Sequence, residues 1–423
     1  MQTKQPEDHS SALKKVIKTL TSNETRDRMK RAAFRAYCVL PPRRWEGGVA
    51  KAGPGVNLIG HIRGSFGLGE SCRLVAAALD RAQVPMGVYD LPLNGPACED
   101  DMSWAAREGQ GCPFGVNLIH LNPNEIANAV WKMDRTILRN RYNIAFWLWE
   151  LSEFPPEWDY TFQLFDEIWT PAEFISQAIR KRTTLPVFTM PYGIEVPPVE
   201  PGCGRSAFGL PQDTFLFLLS YDGNSVSARK NPQAVLRAYR EAFSPSDGDV
   251  GLVIKATHAG KVELAQLREM FAGYPNLVIL TDSYSKPVFN SLLACVDVYV
   301  SLHRAEGFGL VMAESMLLGT PVIGTNWSAN TEFMSEKTAC MVDAQIIALP
   351  RDYPPYHKGD HWAQPDEHQA AQWMRRLYTD RAFAAELAQR AKLDLTQRLD
   401  VFQAGQCMKA RLETIFCGAG GAR

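Results

Sequence analysis

The sequence predicts an α/β protein of two Rossmann-like, doubly wound domains, each a parallel sheet covered by helices on both faces, with a central cleft between them. Three observations predict it. Strand-length apolar runs alternate with helix-length stretches in two successive series. The runs are continuously apolar, as strands buried on both faces are. A Pro/Gly-rich stretch, PPVEPGCG at 197–204, separates the series.

The first series opens with GVNLIGHI (55–62) and a glycine-rich turn, followed by a helix in ESCRLVAAALDRA (70–82). MGVYDL (86–91), FGVNLIHL (114–121), YNIAFWLWE (142–150), EIWTPAE (167–173) and VFTMPYGIEV (187–196) continue it as strands. The second series has strands at 215–222, 250–257, 276–282, 296–302 and 320–326. Helices are expected at 232–243, 261–272, 286–295 and 309–319, and helices again through 366–416. A chain of 423 residues exceeds the size at which one core divides, in keeping with two domains. The expected boundaries are a basic helical segment at 1–45, an N-terminal domain at 46–200, a C-terminal domain at 205–395, and a final helical segment at 396–423 that packs back on the N-terminal domain.

Composition narrows the function. Hydrophobic residues make up 46% and charged residues 22%, ordinary for a soluble globular protein. The net charge of −1 gives no field that would gather nucleic acid. No apolar run reaches the length of a membrane span, and MQTKQPEDHSSALKK lacks the apolar centre of a signal peptide. The first fifty residues carry eleven Lys or Arg against five Asp or Glu, clustered at Arg26, Arg28, Lys30, Arg31 and Arg35. A solvated charged helix is one reading of them, and peripheral contact with an anionic membrane face is the other. Nine cysteines without a Cys-x-x-Cys pair read as reduced thiols in a cytoplasmic protein.

The most informative stretch is HRAEGFGLVMAESMLLGTPVIGTNWSAN, residues 303–330. It leaves the strand VDVYVSL at its carboxyl end, where doubly wound sheets bind ligands. Gly307 and Gly309 let backbone amides come close to a ligand. The helix starting near Leu310 aims its first amides at an anion. Glu306 on the loop and Glu314 one turn into the helix add carboxylates, which suit the paired hydroxyls of a sugar. A ligand both anionic and hydroxyl-rich, such as a nucleotide sugar, fits this combination.

These residues resemble the signature of the group 1 (family 4) retaining glycosyltransferases with the GT-B fold. Every fixed position of E-G-F-G-x-x-x-x-E-x-x-x-x-G-x-P-V-I is present at 306–323. The resemblance implies that Glu306 contacts the donor sugar and Glu314 the ribose. It assigns the backbone amides of Phe308, Gly309 and Leu310 to the sugar and the diphosphate. It also implies a basic pair after the first strand of the second series, where SYDGNSVSARKNP stands. Lys230 matches the family's lysine; the usual arginine falls near Tyr221-Asp222, and Arg229 stands beside the lysine instead. Cations there favour departure of a nucleoside diphosphate, which gains charge as its glycosidic bond breaks. Lys255, ending the next strand, is a third candidate.

In the N-terminal half, GHIRGSFGLGES has Gly64, Gly67 and Gly69 between strand and helix, which suits phosphate approach. The resemblance places Gly67 in a loop that closes over the diphosphate. Asp90, ending the following strand, raises a dinucleotide-binding alternative, but the spacing is G-x-x-G-x-G and leaves 303–330 unexplained. His120 ends the strand GVNLIHL and is expected to face the cleft. It resembles a family histidine near the donor sugar, although a satisfied structural histidine serves equally well.

FWLWELSEFPPEW (146–158) offers either an aromatic platform for an acceptor or a packed core; alternation favours core for Trp147 and Trp149, while Glu150 and Glu153 could reach the cleft. YHKGDHW (356–362) has two histidines four apart, but Pro354, Pro355 and Gly359 argue against the helix a metal pair needs and no third ligand is apparent, and Asp247-Gly248-Asp249 reads as a turn, so no metal or cofactor is expected.

The resemblance therefore implies a metal-independent, retaining hexosyltransferase. Its partners are a nucleotide-sugar donor and a glycan or lipid-linked acceptor, in bacterial surface polysaccharide synthesis. An epimerase or phosphorylase of the same fold, or a non-catalytic nucleotide-binding scaffold, are the alternatives. Glu306→Gln is expected to impair transfer with little loss of folding stability.

Overall fold

The structure, a computed structural model, describes residues 53–92, 99–109, 111–132, 137–223 and 225–419, together with Thr25, Arg28, Met29 and Ala32. Apart from those four residues, the basic segment expected at 1–45 lies outside the described residues.

Each apolar series forms a six-stranded, wholly parallel sheet. The first contains β1 (Val56–Gly60), β2 (Met86–Asp90), β3 (Val116–His120), β4 (Tyr142–Phe146), β5 (Glu167–Thr170) and β6 (Val187–Thr189), in the order β2-β1-β3-β4-β5-β6. Helix α1 (Gly67–Arg81) follows β1, α2 (Pro123–Lys132) follows β3, and α3 (Glu173–Arg180) follows β5. The strands are shorter than their apolar runs. Pro171 and Pro191 follow β5 and β6 closely, and proline has no amide to continue a ladder.

The second sheet contains β7 (Phe215–Asp222), β8 (Val250–Thr257), β9 (Leu277–Leu280), β10 (Val298–Ser301), β11 (Val322–Thr325) and β12 (Cys340–Val342), in the order β12-β11-β10-β7-β8-β9. The short helix α4 (Ser227–Lys230) and α5 (Pro232–Ala242) follow β7. Helices α6 (Lys261–Met270), α7 (Lys286–Cys295) and α8 (Leu310–Leu318) follow β8, β9 and β10. Strand order reverses between β1 and β3 in one sheet and between β7 and β10 in the other. At such reversals a doubly wound sheet binds ligands at its carboxyl edge.

One small sheet has no counterpart in the sequence reading. β13 (Ala344–Ala348) and β14 (His361–Pro365) pair antiparallel. Their connection carries Tyr356, which packs its ring on Trp149 at 5.4 Å between centroids. His357 Nε2 meets Glu157 Oε1 at 2.5 Å on the same side. Trp147 and Trp149 are core residues, packed with Phe154, Trp158 and Phe162.

Helices α9 (Glu367–Thr379) and α10 (Arg381–Arg398) complete the second domain, and α11 (Val401–Ala419) then crosses back to lie along α1. Only glycine permits this approach: a Cβ on Gly405 would stand 2.0 Å from the Ala78 carbonyl, and one on Gly193 would stand 2.3 Å from Val401 Cα. The Ile194 amide donates to Leu399 O at 2.8 Å beside the crossover. Arg411 of α11 clasps Glu167 of β5, with Nε 3.1 Å from Oε2. Glu167 has no solvent exposure and also accepts from Trp169 Nε1 at 2.7 Å and Tyr142 Oη at 2.9 Å. A buried carboxylate needs such partners, because dehydrating its charge is costly.

A second tie joins the domains directly. The carboxylate of Glu332, from the second domain, accepts from the amides of Glu173 and Phe174 at 2.9 and 2.8 Å. These amides open α3, where helical geometry leaves donors unpaired and favours negative charge. Among the described residues no helix is long and apolar enough to cross a membrane, and the cysteines at 72, 112, 203, 295, 340, 407 and 417 are free thiols.

Substituting Gly405→Ala is expected to lower unfolding free energy by about 2 kcal/mol, the usual size of an overpacking penalty. Urea denaturation checks this, and an unchanged midpoint would mean that α11 does not sit closely on α1.

Candidate functional site

The loops leaving β7 and β10 are stitched together at the reversal of strand order. Asn231, with φ +52°, makes a left-handed turn between α4 and α5 and donates from Nδ2 to Leu302 O at 3.0 Å. The Arg304 amide donates to Arg229 O at 2.8 Å. On its other side, the β10 loop is held by the segment after β11: Thr325 Oγ1 donates to His303 O at 2.7 Å, and the Glu306 amide donates to Ser328 Oγ at 2.9 Å. His303 is buried with Nε2 3.0 Å from Asn330 Oδ1, so it braces the loop.

Glu306 is thereby fixed against both members of the basic pair. Lys230 Nζ lies 2.5 Å from its Oε1 and Arg229 Nη1 lies 3.4 Å from its Oε2. Glu306 is 7% exposed. Burial opposes its charge, but Lys230 and Arg229 outweigh burial and hold the carboxyl down at about 2.

Arg229 departs from its expected place at a donor diphosphate. Its guanidinium is buried behind the Glu306 loop, donating from Nη1 to Ala305 O at 2.9 Å and lying 4.0 Å from Glu150 Oε1 of the N-terminal domain. Its Nε has no hydrogen-bond partner. Standing one position before the matched lysine, Arg229 points its charge at Glu306 and the domain boundary.

Glu314 lies on α8. The helix opens at Gly309, whose φ of +96° strains any residue with a side chain; a Cβ there would also stand 2.4 Å from Met312 Cε. The first-turn amides at Leu310 and Val311 have no acceptor within the helix. The ring of Phe308 packs edge-on against Tyr192 at 4.9 Å and on Phe333 at 5.0 Å, so Phe308 has only its backbone to offer a ligand. Glu314 is 2% exposed. Its Oε1 is in direct contact with Lys286 Nζ, and its Oε2 has no partner. Burial raises its pKa against the pull of Lys286, the reverse of Glu306.

The remaining candidates lie on the same edge with different surroundings. Lys255 is buried, donating to Thr257 Oγ1 at 2.5 Å with its ammonium 4.9 Å from the Tyr284 ring centroid. Gly67 starts α1 with nothing near its Cβ position, whereas a Cβ on Gly69 would stand 2.0 Å from Gly64 O. Gly67 thus leaves the start of α1 open, while Gly69 lets the loop fold over it.

His120 is expected either to face the cleft or to be a satisfied structural histidine. It is fully buried, stacked on Phe146 at 4.9 Å, with Nε2 2.7 Å from Ser71 Oγ. Ser71 in turn contacts the Tyr192 hydroxyl. Burial pushes His120 down to about 3, so it is neutral at physiological pH, and Nδ1 is left without a partner. Glu153 pairs at the surface with Lys181.

The sequence reading missed Lys286, Glu70, Ser328 and Tyr356. Ser328 stands inside the quoted stretch and could have been noticed as a cap for the loop. Lys286 and Glu70 lie on different domains, and no local spacing joins them.

Residues 217–350 match the family model described as Glycosyl transferases group 1, and the 303–330 stretch lies within that match. The whole architecture is GT-B, two Rossmann-like domains facing a cleft, and it is similar to that of several solved proteins. The Anabaena protein Alr3699/HepE, solved in complex with UDP and glucose, is 14% identical, with a TM-score of 0.60 over 86% of this chain and 100% of that one. Sucrose-phosphate synthase from Thermosynechococcus elongatus is 13% identical, with a TM-score of 0.61 over 86% and 100%. The pneumococcal O-GlcNAc transferase GtfA, in complex with UDP and GlcNAc, is 13% identical, with a TM-score of 0.50 over 71% and 56%. At these identities the likeness establishes the fold. No curated protein matches the chain.

The geometry revises the expectation for Glu306→Gln. The substitution would take from the buried Arg229 its nearer carboxylate and leave it Glu150 at 4.0 Å, so it is expected to destabilise the protein by about 3 kcal/mol, as breaking a buried pair does. Because folding depresses the Glu306 pKa, its contribution is present above pH 4.5, the unperturbed value, and is lost as pH falls towards 2. Chemical denaturation from pH 7 down to pH 3 should show the deficit of the glutamine variant shrinking on acidification.

Proposed function

We propose that this protein is a glycosyltransferase that moves a sugar from a nucleotide-sugar donor to a glycan or lipid-linked acceptor, with retention of anomeric configuration. The observation that carries this reading is the pairing of Lys230 with Glu306 at 2.5 Å where strand order reverses, inside the stretch that matches the glycosyl transferases group 1 model. The Glu306 carboxylate pairs with Lys230. A donor diphosphate would take over Lys230, and the Glu306 carboxylate, still oriented by Arg229 and Ser328, would accept from the sugar hydroxyls.

The transfer we infer proceeds on one face of the sugar. The bond from the anomeric carbon to the leaving phosphate oxygen breaks as a bond from the acceptor oxygen forms on the same side. The acceptor's proton passes to the departing phosphate oxygen, so the products are the glycoside and the nucleoside diphosphate. Lys230 and the opening amides of α8 and α1 meet the charge that develops on that phosphate. His120, neutral and buried, is suited to a neutral hydrogen bond beside the sugar rather than to proton uptake at physiological pH. The N-terminal crevice between β1 and β3 would hold the acceptor, and closure of the domains would exclude water. Surface polysaccharide assembly at the inner membrane face is the setting that best suits such an acceptor.

Lys230→Ala is expected to weaken nucleoside diphosphate binding by about tenfold or more, because a charge-assisted contact is lost. Titration calorimetry with UDP and GDP tests it, and unchanged affinity would remove the loop after β7 from the donor site. Thermal-shift measurements with UDP-, GDP-, ADP- and dTDP-sugars would identify the donor.

A further inference from the structure

Glu314 carries a feature that its place in the family stretch does not explain. One oxygen is covered by Lys286, from the first residue of α7, and the other is buried without a partner. Lys286 also lies 3.7 Å from Oε1 of Glu70, which belongs to α1 of the opposite domain. Arg73 holds Glu70 from behind, with Nη2 2.8 Å from Oε2, and donates from Nη1 to Ile62 O at 2.8 Å and Gly64 O at 2.9 Å in the glycine loop. A line of alternating charge therefore runs from the N-terminal glycine loop through Arg73, Glu70 and Lys286 to Glu314.

We propose that Lys286, held across the domain boundary by Glu70, is a positioning residue that keeps Glu314 an ionised acceptor for a vicinal diol of the donor, so that the two domains jointly fix the nucleoside end. This inference rests on the nucleotide-sugar reading above. With Lys286 on one oxygen, the other stays free for a ligand hydroxyl that resolves its unmet hydrogen bond. Without Lys286, Glu314 is left with Glu70 and the Tyr299 hydroxyl as its titratable neighbours among the described residues. Its burial would then draw a proton onto the carboxyl, and one oxygen would become a donor. Lys286 does not touch the reacting atoms in this account; it acts through Glu314 and links the grip on the nucleoside to domain contact.

The test is calorimetric binding of UDP and GDP to full-length wild type, Lys286→Met, Lys286→Arg and Glu70→Gln at pH 6.5 and pH 8.5, with melting temperatures as a folding control. The expected result is about a tenfold loss of affinity for Lys286→Met at pH 6.5, smaller at pH 8.5, because a protonated Glu314 loses an acceptor. Lys286→Arg keeps the charge and should stay within about threefold of wild type at both pH values, and Glu70→Gln should show an intermediate loss. Wild-type affinity in Lys286→Met, or a loss of equal size at both pH values, overturns the proposal. If Lys286→Met does not fold, Glu70→Gln decides: it keeps the Glu314 contact, and affinity equal to wild type would show that the cross-domain tie has no part in binding. A wild-type protein that binds neither nucleotide defeats the nucleotide-sugar reading, and this proposal with it.

Discussion

Two loops leave neighbouring strands of the second sheet and exchange backbone and side-chain hydrogen bonds, the Arg229 carbonyl accepting from Arg304 and Asn231 donating to Leu302. The rest of the site depends on this exchange. It places Lys230 2.5 Å and Arg229 3.4 Å from the Glu306 carboxylate, with the arginine and the glutamate both buried. Bare charges at that depth would be excluded by their dehydration cost. Here the two cations share the Glu306 carboxylate, while the Ala305 carbonyl accepts from Arg229 and Ser328 Oγ accepts from the Glu306 amide. The loops can therefore carry chemistry-bearing groups at the sheet edge without losing order.

The two glutamates of the quoted stretch, eight positions apart, end in opposite electrostatic states. Glu306 faces two cations and stays ionised far below neutrality. Glu314 faces one cation and a second carboxylate, and burial dominates. The same residue type thus provides a carboxylate held ionised by two cations at one position and a carboxyl whose pKa burial raises at the other. Environment rather than residue identity sets this division.

Much of the architecture could be read from the chain. Continuous apolar runs bounded by turn residues marked eleven of the strands, because burial on both faces leaves that signature whatever the tertiary context. The edge strand Cys340–Val342 and the hairpin at 344–365 could not be read, since their pairing partners are set by packing. Glu306 and Glu314 were legible from glycine spacing and their place after a strand. The displacement of Arg229 behind its neighbour was not, for adjacent residues leave a short helical turn in directions that sequence does not specify. Lys286 escaped for a related reason, since its partners are 28 residues away on one element and on another domain altogether.

The return of α11 to α1 also bears on how the molecule is made. Gly405 against Ala78, and Arg411 against Glu167, are contacts between early and late parts of the polypeptide. A ribosome emits the first sheet long before it emits the helix that covers α1 and satisfies Glu167. Until that helix emerges, the nascent first half carries an uncovered apolar flank and an acid whose guanidinium partner does not yet exist. The break at 197–204 therefore marks a topological division without marking a cut that would release a self-sufficient half.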